Sequence, residues 1–134
     1  MANKINQHEI RKSAVQALYS LALQPELSID EAVDFALLYD EAVEERPDYL
    51  ETLVSGVTQK SDELDEKLAV YIKSPWSIGR LTNIERIILR LGAYEILYSE
   101  IPDVVALNEA IELAKDFNDA KAAKFINGVL TNLV

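Results

Sequence analysis

The 134-residue sequence predicts an all-α protein. Apolar residues recur at three- and four-residue spacing along most of the chain, which is the period of a helix that buries one face. Two capping boxes, Ser28 with Glu31 and Thr82 with Glu85, mark the starts of helices. No segment shows the alternation of apolar and polar residues that is typical of a strand. We therefore expect three helices on each side of a linker at residues 74–80.

The first three helices are predicted before this linker. Helix one should span about residues 7–23 and end at Pro25. Its inward-facing residues are expected to be Ile10, Ala14, Ala17, Leu18 and Leu21. Helix two should run from the Ser28 capping box to about residue 44, and helix three should begin at Pro47 with one apolar stripe of about 25 residues. The linker then divides the single domain into subdomains 1–74 and 75–134.

Three further helical patterns follow the linker, and their polar residues are more distinctive than their apolar ones. The apolar stripes are Ile84, Ile87, Ile88, Leu91 and Tyr94, then Val104, Leu107, Ile111 and Ala114, then Ala122, Phe125, Ile126, Val129, Leu130 and Leu133. Around them the sequence reads IERxxLRLxAYEI, a proline, VxxNEAIELAK and finally KFINGVL. Periodicity alone predicts only that three helices share a core.

The composition excludes several kinds of site. Cysteine is absent, so there is no disulfide and no thiolate nucleophile, and the single histidine, His8, argues against a zinc site. No run of about 18 apolar residues is present, and the N-terminus lacks the apolar core of a signal peptide. These features favour a cytoplasmic protein.

The net charge of −10 is concentrated in one part of the chain. Residues 26–51 hold ten acidic residues against Arg46 alone, which gives −9 and leaves −1 for the rest. A polyanion would therefore be repelled by this segment but could approach the N-terminal helix, where Lys4, Arg11 and Lys12 oppose only Glu9.

The phrases in the last three helices, in this order and at these distances, resemble the NusB family of bacterial transcription antitermination factors. The stretch RKSAVQALYSL at residues 11–21 resembles the first helix of that family. Trp76, in the short linker before Leu81, also resembles the family pattern. The resemblance covers nearly the whole chain, most strongly residues 10–23 and 76–133. It implies two packed three-helix bundles and a protein that is not an enzyme, with no cofactor and no metal.

The resemblance also implies a function. A NusB-type adaptor would bind boxA-type single-stranded RNA in ribosomal RNA operon transcripts, together with NusE, a ribosomal small-subunit protein. In this way it would help the RNA polymerase antitermination complex resist termination, with no membrane involved. The sequence leaves monomer and homodimer open.

The residues expected to bind RNA are Lys4, Arg11, Lys12, Lys121, Lys124 and Phe125. From the residues alone, solvated surface charge is the simpler interpretation of the cations, and Phe125 fits the core. Helix stability does not explain Lys121 and Lys124, because the macrodipole disfavours positive charge at a helix N-terminus. The N-terminal segment reads NQHEIRK, whereas the family commonly carries an arginine-rich cluster there, so we expect this chain alone to bind RNA weakly.

The expected contact with NusE is formed by Tyr19, Leu23 and Glu85. Tyr19 lies off the apolar stripe of helix one, so an exposed Tyr-Leu pair is a plausible anchor for a partner. Glu85 can act in its capping box and face a partner at the same time. Arg86 and Arg90 are as well placed to pair with Glu112 or Glu95 as to contact RNA. For Asn108 and Glu109 we expect buried hydrogen bonds to a neighbouring helix end.

Two other functions compete with this interpretation. A NusB-like domain also forms the N-terminal part of certain ribosomal RNA cytosine methyltransferases, but this chain has no Gly-rich cofactor loop and no cysteine to attack a pyrimidine ring. The acidic balance also keeps open a pure protein-interaction or oligomerisation module.

Overall fold

The computed structural model describes residues 7–38 and 46–134. Within these ranges the chain is built from helices and contains no strand, which confirms the predicted all-α class. The α-helices are α1 (Gln7–Leu23), α2 (Ile29–Leu38), α3 (Asp48–Gln59), α4 (Ser61–Ala69), α5 (Asn83–Tyr98), α6 (Asp103–Phe117) and α7 (Ala120–Leu130), with short 3₁₀ helices at Ile78–Arg80 and Thr131–Leu133. None of the helices in the described ranges is long and apolar enough to span a membrane.

The chain forms two compact units, Met1–Thr58 and Gln59–Val134. The linker at residues 74–80, where we expect the division into subdomains, lies inside the second of these units, and the expected division stays a prediction. An ion pair ties α4 to α5: Nε and Nη2 of Arg90 donate to the two carboxylate oxygens of Asp65 at 2.7 and 2.6 Å. This pair joins two distant positions in the sequence, so periodicity gave no sign that α4 belongs with the later helices.

The predicted third helix is in fact two helices, α3 and α4, so seven helices replace the expected six in the described part of the chain. Lys60 interrupts the helix, since its ψ of 12° lies outside the α region. The apolar stripe could not reveal this break. Val54 and Val57 before it and Leu64 and Leu68 after it are all buried, so the spacing continues across the interruption.

In the first unit, α1 packs against α2. The bounds predicted for helix one match α1, and four of its five expected core residues are buried, while Leu21 is half-buried. The Ser28 capping box forms as predicted: Ser28 N donates to Glu31 Oε1 and Glu31 N donates to Ser28 Oγ, both at 3.1 Å. The predicted end of helix two near residue 44 lies outside the described residues.

Arg46 partly neutralises the acidic segment of this unit. Its guanidinium contacts Asp30 at 2.8 Å and Asp34 at 3.2 Å on α2, and Glu51 at 3.8 Å on α3. The only basic residue of segment 26–51 therefore links two helices of the first unit, and its guanidinium group is paired with carboxylates.

In the second unit, α5 packs against α4, α6 and α7. Gly92 of α5 lies where these helices are closest. A Cβ at this position would come within 2.6 Å of Leu130 Cδ1 and 3.1 Å of Ala110 Cβ. The absence of a side chain therefore allows Ala110 of α6 and Leu130 of α7 to approach α5 closely.

Candidate nucleic-acid and partner interface

A surface pocket of about 330 Å³ lies in the second unit, between the residues that lead into α5 and the start of α7. Its walls combine aromatic, acidic, amide and basic side chains. The lining residues are Trp76, Leu81, Thr82, Glu85, Asn118, Asp119, Lys121, Ala122 and Phe125. The structure thus brings three of the predicted functional residues, Glu85, Lys121 and Phe125, to one place.

The capping box of α5 fixes the position of Glu85. Its Oε1 accepts hydrogen bonds from Thr82 N at 3.1 Å and from Thr82 Oγ1 at 2.9 Å, and Glu85 N donates to Thr82 Oγ1 at 3.2 Å. Oε2 of Glu85 has no hydrogen-bond partner within the described ranges. One carboxylate oxygen therefore stabilises the helix start, and the other is available to a ligand.

The start of α7 positions Lys121 and Phe125. Asp119 is the N-cap residue, and its Oδ1 accepts from Ala122 N at 2.8 Å. Lys121 is exposed and Phe125 is half-buried one turn later on the same side of the helix. Phe125 is therefore not only a core residue, because part of its ring lines the pocket.

Trp76 supplies a second aromatic side chain to the pocket, and 55% of its surface is exposed. Its backbone N donates to Lys73 O at 3.0 Å, and Arg80 Nη1 donates to Pro75 O at 3.0 Å, so the linker around it is held by local hydrogen bonds. In the sequence, Trp76 supported only the resemblance to the family and was not predicted to be a site residue. A large exposed aromatic residue in a linker was the signal that could have marked it as a site residue.

The solvent-facing side of α7 carries positive charge and a glycine. Lys121 and Lys124 are both exposed, and neither forms an ion pair with the residues that the structure describes. Gly128 is exposed too, and a Cβ there would meet nothing within 4 Å. Gly128 is therefore not a close-packing residue, whereas Gly92 is one. A glycine inside a helix costs about 1 kcal/mol relative to alanine, and no contact within the protein explains it here.

The predicted basic residues at the N-terminus differ in their surroundings. Lys4 lies outside the described residues. Arg11 on α1 is buried, with 2% of its surface exposed, and it has a polar or ionic partner. Lys12 is half-buried and makes no ion pair within residues 7–38 and 46–134. Of the N-terminal cations described, Lys12 is therefore the one with an available ammonium group.

The predicted Tyr-Leu pair of α1 is at the surface. Tyr19 is 37% exposed and Leu23, one helical turn later, is 58% exposed. Both belong to the first unit, whereas Glu85 belongs to the second. The off-stripe position of Tyr19 predicted this exposure correctly.

The two arginines of α5 have partners other than those expected. Arg90 pairs with Asp65, and Arg86 donates to Asn83 Oδ1 at 2.7 Å and to Ile78 O at 3.3 Å. Neither arginine pairs with Glu112 or Glu95, one of the two alternatives that the sequence left open, because acceptors on α4, before α5 and at the start of α5 bind both guanidinium groups. Asn108 is exposed, so its expected buried hydrogen bond is wrong as well, while Glu109 is half-buried and has a partner.

The pKa of Tyr98, a residue away from the pocket lining, clearly shifts. Tyr98 OH donates to Glu63 Oε2 at 3.0 Å, and this hydrogen bond, with smaller contributions from burial and the Glu63 charge, raises the pKa of Tyr98. Lys60 Nζ lies 4.5 Å from the centre of the same ring. These contacts join α4 to α5 and have a structural role. No group of three or more metal-binding side chains occurs among the described residues.

Comparisons with known proteins identify the family. The profile of the NusB family matches residues 8–134. A transcription antitermination protein NusB from Enterococcus faecalis is 44% identical over 98% of this chain and 90% of its own length. Another, from Lacticaseibacillus casei, is 47% identical over 96% of this chain and 94% of its own length.

Solved structures give the same result for the fold. A NusB structure from T. maritima aligns over 97% of this chain and 91% of its own, with a TM-score of 0.83 at 26% identity. A crystal structure of the antitermination factors NusB and NusE in complex with double-stranded RNA aligns over 95% and 94%, with a TM-score of 0.81 at 27% identity. The chain belongs to the NusB family of transcription antitermination factors, which are not enzymes.

Proposed function

We propose that this protein binds boxA-type single-stranded RNA in ribosomal RNA operon transcripts, together with NusE, as part of the RNA polymerase antitermination complex in the cytoplasm. The observation that carries the RNA-binding part is the pocket of the second unit, where Trp76 and Phe125 lie beside the unpaired cation of Lys121. Family membership and the solved complex of NusB and NusE with double-stranded RNA support NusE and RNA as partners.

The pocket has the chemistry that single-stranded RNA requires. An unstacked base can stack on an exposed aromatic ring, which contributes about 1–3 kcal/mol per base. Trp76 and Phe125 offer such rings, and Lys121 with Lys124 would attract the adjoining phosphates. Since the bases of a duplex are already stacked on each other, this arrangement favours a single strand.

NusE would contact Tyr19 and Leu23 on α1 and the free carboxylate oxygen of Glu85. Tyr19 and Leu23 form an exposed aromatic and aliphatic pair, which is the kind of side-chain set that anchors protein partners. Oε2 of Glu85 could accept a hydrogen bond from a basic side chain of NusE without loss of the cap. Because Glu85 also lines the pocket, NusE and RNA would lie next to each other at the edge of the pocket.

The N-terminal region would add further phosphate contacts through Lys4, Arg11 and Lys12. Of the two cations described here, Lys12 should carry more of this binding. Arg11 is buried and would have to leave its partner to reach a phosphate. The region is therefore a weaker electrostatic site than its count of basic residues indicates.

A titration by fluorescence anisotropy tests the proposal. The probes are a labelled boxA RNA strand, a scrambled strand of the same composition, and a duplex of the boxA strand, each with the full chain. We expect the single boxA strand to bind more tightly than both other probes. Equal affinity for the boxA and scrambled strands would contradict sequence recognition, and tighter binding of the duplex would contradict the single-strand assignment. No binding to any probe, with or without NusE, would contradict the RNA-binding function itself.

A further inference from the structure

No contact with a described residue explains the glycine at position 128. It lies in α7, it is exposed, and a Cβ there would have no atom within 4 Å. Its φ is not positive, so the backbone does not require glycine either. The remaining reason for a glycine in such a helix is that another molecule approaches the backbone closely.

The charge on α7 indicates which kind of molecule that is. Among the α-helices that the structure describes, only α7 has no Asp or Glu, although the chain as a whole carries −10. At about 100° per residue, Lys121, Lys124 and Gly128 fall on one side of α7. The buried residues of the helix, such as Ile126 and Leu130, fall on the opposite side. The glycine therefore lies on the side of α7 that carries both lysines, and this side begins at the pocket that Lys121 lines together with Glu85 and Asp119.

We propose that the sugar–phosphate backbone of bound RNA crosses α7 at Gly128, against bare helix backbone, with an adjoining base in the pocket. The inference rests on the proposed RNA-binding function and adds a binding residue to it. Lys121 and Gly128 are seven residues apart, or about 10 Å along the helix axis. The strand would run along α7 over that distance, with Lys121 and Lys124 beside its phosphates.

The side chain next to Gly128 suits this path. Thr131 Oγ1 donates to Asn127 O at 2.6 Å and contacts Asn127 Oδ1 at 3.1 Å. The single hydroxyl proton of Thr131 is used in the bond to Asn127 O, so the exposed amide of Asn127 keeps its N–H groups for another acceptor. An amide N–H in this position can donate to a ribose or phosphate oxygen. A protein partner fits less well, because Phe125, the large apolar side chain of α7 nearest to the lysines, is half-buried in the pocket.

Substitution of Gly128 separates binding from stability. In Gly128→Ala, a helix former replaces glycine in open space, so the melting temperature should rise by about 2–5 °C. A methyl group, however, would hold the RNA backbone away, so boxA RNA affinity should fall about 3- to 10-fold. Gly128→Gln should lower the affinity further, since its side chain is longer. The control is Asn108→Ala, which also improves helix propensity at an exposed position but lies on α6.

The result that supports the inference is a more stable Gly128→Ala protein with weaker RNA binding, beside an Asn108→Ala protein with wild-type affinity. Wild-type affinity in both Gly128 variants would overturn the inference and leave the proposed function intact. Equal loss in the Asn108→Ala control would overturn it too, because the effect would then not be local to α7. Failure of the wild-type protein to bind boxA RNA, with or without NusE, would instead overturn the proposed function.

Discussion

Glu85 and Thr82 form a reciprocal capping box that uses only one of the two carboxylate oxygens of Glu85. Oε1 accepts from the backbone N and Oγ1 of Thr82, and Oε2 has no partner in the described chain. The two functions expected of Glu85, capping and partner binding, therefore depend on different atoms. Substitutions can separate them.

Glu85→Gln should keep the cap and weaken NusE binding. Glutamine also serves at this position of a capping box, so the free energy of unfolding should change by less than about 0.5 kcal/mol. Loss of the negative charge should lower NusE affinity, because charge-assisted hydrogen bonds are roughly twice as strong as neutral ones. Calorimetric titration with NusE measures this. Ser28→Ala, which removes the capping box of α2 instead, is the control: it should cost about 0.5–2 kcal/mol of stability while NusE affinity is retained. Unchanged NusE affinity in Glu85→Gln and Glu85→Lys would remove Glu85 from the partner surface.

Gly92→Ala and Gly128→Ala should change stability in opposite directions. A Cβ at Gly92 would lie 2.6 Å from Leu130 Cδ1, so overpacking should destabilise the protein by about 1–3 kcal/mol. The same substitution at Gly128 should stabilise it by up to about 1 kcal/mol. Chemical denaturation of the two variants beside wild type gives the answer. If Gly92→Ala proves as stable as wild type, then α5, α6 and α7 do not depend on that close approach.

Arg11→Ala and Lys12→Ala should also behave differently. Arg11 is buried with a partner, so its removal should cost about 1–3 kcal/mol of stability. Lys12 is half-buried without an ion pair, so its removal should change stability by less than about 0.5 kcal/mol. RNA affinity, measured under conditions where both variants are folded, should fall more for Lys12→Ala. A larger loss of RNA affinity in a fully stable Arg11→Ala protein would show that Arg11 itself contacts phosphate.

The salt dependence of RNA binding should be modest. With about four phosphate contacts, log K should fall with log salt concentration at a slope of roughly −3, on the single-strand value of ~0.7 per contact. Lys121→Ala with Lys124→Ala should flatten the slope by about one to two units. Lys115→Ala is the control, since this exposed lysine of α6 is already paired with Glu112 at 3.5 Å. A double variant that keeps the wild-type slope would exclude α7 from the phosphate contacts.

Local signals in the sequence predicted most of the helices. Apolar spacing and capping boxes gave the bounds of α1 and the starts of α2 and α5, because these features depend on residues three or four positions apart. The break at Lys60 was missed, since the apolar period continues through it. The Asp65–Arg90 pair was missed because it joins residues that only the tertiary fold brings together.

The candidate site was less predictable than the fold. Lys121 and Phe125 were singled out from the start of the last helix, but Trp76 was not, because a linker residue has no periodic pattern to be compared with. Sequence also could not distinguish two of the helical glycines, Gly92 and Gly128. Gly92 meets Leu130 and Ala110, whereas Gly128 meets nothing, and only the packing of the helices decides between these cases.

The coupling between NusE and RNA tests the central claim most directly. Because Glu85 and Phe125 line one pocket, NusE bound at Glu85 should stabilise RNA bound at Phe125. We predict that saturating NusE tightens binding of the boxA strand by about 5- to 150-fold, a coupling of about 1–3 kcal/mol, and that Glu85→Gln reduces this factor. The measurement is a titration of labelled boxA RNA with the full chain, with and without NusE. An RNA affinity that NusE leaves unaltered would contradict the account of this protein as a cooperative RNA-binding adaptor.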